Sequence, residues 1–192
     1  MARQMEFDYD SQGRLTNIQT CYYYDNSSTC SDPTISSLSY SNNNKTITET
    51  YSSSYEGQLV YTGTRVWQLD NNGNFSSAVD IESYDDDGDG VFESEDETNI
   101  SFEHDNFNNP FSGIAGANAR VIFELYNNEY SSALSWGAFN NLTSANISFP
   151  QYPEDAYTVS VAYDYNDDGY PRQAIISDSD YDFDSVVTIN YY

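Results

Sequence analysis

Positive charge is the scarcest property of this sequence. Six lysines and arginines stand against 31 aspartates and glutamates, and with a single histidine the net charge is −25 at neutral pH. Nucleic acid and anionic membrane surfaces both require clustered basic groups, so neither is an expected partner. No run of about eighteen apolar residues is present, which excludes a transmembrane helix. The opening Met1-Ala2-Arg3-Gln4 lacks the apolar stretch of a secretory leader, so the chain reads as a mature or trimmed form. One histidine leaves little room for base-assisted nucleophiles, and the glycine spacings make no phosphate-binding loop, so a catalytic role is not expected. A glycosidase built on two carboxylates is the catalytic class that so many acids leave open.

The sequence is rich in aromatic and small polar residues. Nineteen tyrosines and ten phenylalanines, set among many Ser, Thr and Asn, favour strands joined by polar turns, while the usual helix formers are sparse. At 192 residues the chain fits a single β-rich domain, 1–192, long enough to bury a core. Met5, Phe7 and Tyr9 alternate with Glu6, Asp8 and Asp10; Tyr157, Val159, Val161, Tyr163 and Tyr165 alternate with Thr158, Ser160, Ala162 and Asp164. Both patterns predict strands with one dry face. Further strands are expected over 15–24, 34–40, 45–55, 58–69, 75–84, 97–105, 142–149, 171–177 and 185–192. The predicted fold class is mainly β, an antiparallel meander of about ten strands forming a curled sheet or a sandwich. The region 109–149 breaks the strand rhythm: residues 117–126 are expected to form a short helix, the alternative being a buried strand, and 133–139 another short turn of helix. Pro150 and Pro153 mark a turn.

Several of the expected corners share a pattern. Phe7-Asp8-Tyr9-Asp10-Ser11-Gln12-Gly13-Arg14-Leu15 and Tyr163-Asp164-Tyr165-Asn166-Asp167-Asp168-Gly169-Tyr170-Pro171 place an acid or amide three residues before a glycine. Looser copies run from Trp67 to Phe75 and from Phe102 to Phe111. Glycine supplies the positive φ of a tight hairpin, and Asp or Asn bonds the nearby backbone amides. These stretches resemble the YD repeats (RHS-type) of bacterial secreted proteins. Together with Asn109-Pro110-Phe111 and Gly113-Ile114, the chain is similar to a group of uncharacterised bacterial surface lipoproteins. The resemblance implies a secreted or cell-surface location, with polysaccharide or another envelope protein as partner, and no defined activity.

Between two strand-like flanks lies Asp85-Asp86-Asp87-Gly88-Asp89-Gly90-Val91-Phe92-Glu93-Ser94-Glu95-Asp96. With Asp85 as position one, carboxylates fall at one, three and five, a glycine at six, the Val91 carbonyl at seven, Glu93 at nine and Asp96 at twelve. Hard oxygens at this spacing suit calcium, which takes about 6–8 of them, and the glycine allows the chain to bend round one ion. The stretch resembles the calcium loops of EF-hands, and more closely those of thrombospondin type 3 repeats, without the flanking helices. Divalent cations, with Ca2+ foremost, are therefore the expected partners. The candidate ligands are Asp85, Asp87, Asp89, Val91, Glu93 and Asp96; a solvated acidic hairpin loop without a specific ion is the alternative.

The only cysteines, Cys21 and Cys30, flank a polar segment. In an oxidising compartment they are expected to close it as a disulfide, the alternative being two buried thiols. Asp164-x-Asn166-x-Asp168-Gly169 begins like a second cation loop but continues with Pro171, Arg172 and Ile175 where ligands belong, and is read as a turn. His104 shares parity with Ile100 and Phe102 and is expected to pack beside a sheet. The functional reading is a non-catalytic surface or secreted β-domain stabilised by calcium, structural or adhesive in role. A glycan-binding module, with Tyr22, Tyr23, Tyr24 or Trp136 stacked on sugar rings, is the alternative.

Overall fold

In the computed structural model the described residues are 2–23, 30, 33–109, 139–179 and 184–190. They form eleven strands: β1 Ala2–Tyr9, β2 Leu15–Tyr23, β3 Thr34–Ser41, β4 Thr46–Tyr55, β5 Gln58–Leu69, β6 Phe75–Tyr84, β7 Ser94–Asn108, β8 Asn140–Ser148, β9 Tyr157–Tyr165, β10 Pro171–Asp178 and β11 Asp184–Thr188. Neighbours in sequence are neighbours in space, giving one antiparallel sheet in the order β1 to β11 and not the two sheets of a sandwich. Among the described residues no ladder joins β1 to β11, so the sheet is open. The chain makes two compact units, Met1–Trp67 with Val79–Thr98, and Gln68–Ala78 with Asn99–Tyr192. The helices expected at 117–126 and 133–139 lie outside the described residues, save Phe139 at the end of the second. A single turn of 3₁₀ helix, Pro153–Asp155, occupies the stretch read as a turn.

Three corners repeat one hydrogen-bond pattern. Asp70 accepts the N–H of Asn72 (2.8 Å) and of Asn74 (2.9 Å) on Oδ1, its own N–H donates to the Asn74 carbonyl, and Gly73 N–H donates to the Asp70 carbonyl. Asp10 does the same with Gln12, Arg14 and Gly13, and Asn166 with Asp168, Tyr170 and Gly169. The fourth residue must adopt a left-handed conformation for the strand to return, and Gly73 does so at φ 87. The side-chain oxygen thus closes each turn on its own backbone. At the first corner it also holds Arg14, whose Nε lies 2.7 Å from Asp10 Oδ2. The backbone and side-chain donors of Arg14 hold the Asp10 carboxyl below its ordinary range.

The looser copy from Phe102 to Phe111 does not make this corner. Asn108 stands where the pattern needs glycine, and β7 continues through Asp105 to Asn108 with a break in its register against β8 between His104 and Asn108. The Asp105 carboxylate keeps only the first bond of the corner, from Phe107 N–H, and is otherwise engaged across the sheet, accepting from the Asn141 backbone and side chain and the Tyr165 hydroxyl.

In the second unit, Leu142, Ala145, Ile147, Val159, Val161, Ala174 and Ile176 of β8, β9 and β10 form a dry layer, with a register shift against β7 between Leu142 and Ser144. The register aligns them in rows: Phe102 opposite Ala145, Ala145 opposite Val159, Ile176 opposite Val161. The opposite face carries Ser144 against Ser160 and Asn146 against Thr158. In the first unit Leu15, Ile18, Cys21, Leu38, Ile47, Tyr51 and Trp67 are buried. Cys21 and Cys30 are joined as a disulfide with a Cα–Cα distance of 5.2 Å.

The repeated corner makes a graded test. Asp70→Ala removes the acceptor for two backbone amides and is expected to destabilise the fold by about 1–3 kcal/mol in urea unfolding. Asp70→Asn keeps the amide oxygen that Asn166 uses in its own corner and should cost less than about 1 kcal/mol. Equal losses would mean that the carboxylate charge, and not its geometry, holds the turn.

Candidate metal centre

The acidic loop connects β6 to β7 and belongs to the first unit. Its ends are tied by the backbone: Asp85 N–H donates to the Val60 carbonyl and Glu93 N–H to the Tyr84 carbonyl. Asp85 then organises the interior. Its Oδ1 accepts from the N–H of Gly88 (2.8 Å) and Asp89 (3.1 Å), and its Oδ2 from that of Gly90 (2.9 Å). Asp87 accepts from Asp89 N–H, Asp89 from Val91 N–H, and Glu93 reaches back to the N–H of Asp86. Gly88 and Gly90 both take positive φ, 79 and 88, which is how the chain winds inward at two places in three residues.

The winding brings Asp85, Asp87, Asp89 and Glu93 together, with one oxygen from each within 4.8 Å of the others. Asp87, Asp89 and Glu93 are exposed and Asp85 is half-buried. The backbone amides offset part of their repulsion. A carboxylate has about four lone-pair sites, so accepting these N–H bonds still leaves oxygens for a cation. Of the six expected ligands, four side chains therefore converge. Val91 lies within the loop, its N–H on Asp89 and its side chain exposed. Asp96 stands in β7, exposed and outside the group of four. Four hard oxygen donors without nitrogen or sulfur fit calcium or magnesium and not a soft metal.

The second motif, at Asp164 to Asp168, is the Asn166 corner already described. Of the aromatic candidates, Tyr23 lies in β2 with its hydroxyl 3.1 Å from Gln4 Oε1, while Tyr24, Trp136 and the Tyr22 side chain fall outside the described residues. His104 is half-buried in β7 opposite Leu142. Phe107, 46% exposed, stacks on Tyr165 with ring centroids 4.3 Å apart, and a Cβ on Gly169 would lie 3.3 Å from the Phe107 ring.

Three polar networks were not read from the sequence. In the second unit the buried Asn74 accepts the N–H of Phe139 and Asn140 and donates to Asp70 and Asn140, while Asn109 N–H donates to the Phe139 carbonyl. Beside it, Asn141 and Tyr165 converge on Asp105; burial first, and the Asp105 carboxylate second, push the Tyr165 phenol up. In the first unit Glu49, Tyr51, Arg65, Asp80 and Glu82 lie on the apolar side of β4, β5 and β6. Arg65 donates through Nε and Nη2 to Asp80 and lies 3.4 Å from Glu49. The signal was present for this last set: Glu49 has the parity of Ile47 and Tyr51, and Arg65 that of Trp67.

No family model matches the chain, and no curated protein matches it. Among solved structures, the fold is similar to that of a porin-like protein from Bacteroides vulgatus, with a TM-score of 0.63 at 8% identity over 96% of this chain and 76% of that one. A porin-like protein from Bacteroides uniformis aligns over 96% of this chain and 88% of that one at 12% identity, with a TM-score of 0.27. The first likeness is one of fold; the second is too loose to compare.

Proposed function

We propose that this chain is a non-catalytic β-domain of a secreted or cell-surface protein, stiffened by calcium at the β6–β7 loop and structural or adhesive in role. The observation that carries the reading is the convergence of Asp85, Asp87, Asp89 and Glu93 within 4.8 Å. Holding four carboxylates so close is costly unless a positive charge enters, and a divalent ion there would lock β6 to β7. Waters and the Val91 carbonyl would complete the coordination. A surface location draws support from the YD-like corners, from the disulfide and from the porin-like name of the structural neighbour.

Calorimetric titration of chelator-treated protein with calcium tests this reading. Binding of one ion per chain is expected, lost in the Asp87→Asn/Asp89→Asn variant and accompanied by a higher melting temperature that the variant does not show. No heat and no melting shift would overturn it.

A second reading, sugar binding, is favoured by the exposed Phe107 stacked on Tyr165, with Tyr170 also exposed nearby in sequence. It predicts a hit on a glycan array that falls about two- to tenfold in Phe107→Ala, since such stacking is worth roughly 0.5–1.5 kcal/mol. Silence across the array would count against it.

A further inference from the structure

The buried set in the first unit holds a proton count that does not close. The Tyr51 hydroxyl oxygen lies 2.7 Å from Asp80 Oδ1 and 2.7 Å from Glu82 Oε1. A phenol has one proton to donate, and an ionised carboxylate has none. With both carboxylates ionised, one of these two contacts would set lone pairs against lone pairs at hydrogen-bond distance with no hydrogen between them. The other oxygens cannot supply it. Asp80 Oδ2 already receives Arg65 Nε and Nη2, and Glu82 Oε2 receives the Tyr84 hydroxyl.

We propose that Asp80 and Glu82 share one proton across the Tyr51 hydroxyl at neutral pH, making this array a proton-binding site built into β4 and β6. The proton lies between one carboxyl and the phenol oxygen, and the phenol donates its own hydrogen to the other carboxylate. Both 2.7 Å contacts are then complete hydrogen bonds. The proton belongs to the pair and not to either residue.

The surroundings favour it. Facing the pair are Glu49 and Tyr51 from β4, Arg65 and Tyr61 from β5, and Tyr84 from β6, with Asp96 of β7 close enough to act on Tyr84. Against three carboxyls, Arg65 brings one positive charge, and it lies over the rings of Tyr51 and Trp67 at 5.1 and 5.7 Å. Glu49 is 1% exposed and Asp80 8%. Burial pushes the carboxyls of both above their ordinary range, partly offset by Arg65. Gly63 keeps the array compact: a Cβ there would lie 2.3 Å from the Tyr51 ring, so only glycine lets the phenol lie across β5 toward Asp80.

The consequence is a dependence of stability on pH with a definite sign. The folded pair keeps a proton that the unfolded carboxyls release near pH 4, so the native state binds more protons and stability falls as pH rises. The loss begins at about pH 4 and ends where the folded pair lets its proton go. Urea unfolding between about pH 5 and 8, with calcium held constant and about 0.5 M salt to screen the exposed acids, measures it. The folding equilibrium constant of the native sequence is expected to fall by up to about tenfold per pH unit. Glu82→Gln, whose amide can donate to Tyr51 without titrating, should remove most of that fall. An unchanged fall in Glu82→Gln would overturn the proposal. Infrared spectra of the folded protein at neutral pH give a readout independent of that variant: a protonated-carboxyl band is expected, and it should persist in Glu49→Gln. Absence of the band, or its loss in Glu49→Gln, would place no proton on the pair and overturn the assignment.

Discussion

Carboxylates that outnumber cations about five to one must find hydrogen-bond donors elsewhere, and most of this structure follows from where they find them. Backbone amides are the main supply. Asp10 and Asp70 each take two N–H groups, and Asp85 takes three. Such bonds to an ionised acceptor are stronger than neutral ones, so each acid shapes a short length of chain around itself. The charge that strains the molecule as a whole also defines its corners.

Side-chain donors join the amides or replace them. Tyr165 and the Asn141 side chain serve Asp105, and Tyr51, Tyr84 and Arg65 serve Asp80 and Glu82. The abundance of tyrosine thus has a second meaning beside its preference for strands: a phenol packs as an apolar ring and ends in a donor. In the β6–β7 loop the local donors are N–H groups alone, and four carboxylates still converge. That is the place where the proposed cation would complete the pattern of the other sites. In the second unit the apolar layer of β8, β9 and β10 supplies the burial that stabilises the sheet.

The fold was largely legible because its strands alternate. β5, β6 and β9 run over the residues that periodicity marked, and the Asp10, Asp70 and Asn166 corners fall where an acid or amide stands three residues before glycine. Asp105 lacked that glycine, and the strand went on. β7 begins at Ser94 and so takes in Asp96, which counting along the loop had placed in the coordination shell. Spacing describes a loop of fixed length, whereas the ladder to the neighbouring strand decides where the loop ends. The Glu49–Arg65–Asp80 set went unread because charged residues on an apolar parity look like exceptions until three strands place them side by side. Asn74 was hidden for a related reason: its partners Phe139 and Asn140 lie about seventy residues away in sequence, in a contact that only the sheet order creates.

A preformed acidic loop awaiting one cation is the central claim, and the backbone amides of that loop report on it most directly. Amide NMR spectra recorded with and without calcium should show large shifts confined to Gly88, Asp89, Gly90, Val91 and their neighbours in the loop, saturating at one ion per chain, with the Asp10, Asp70 and Asn166 corners unmoved. Small shifts spread over the exposed acids of the whole sheet, or none at all, would contradict it and make the loop a turn held by its own amides alone.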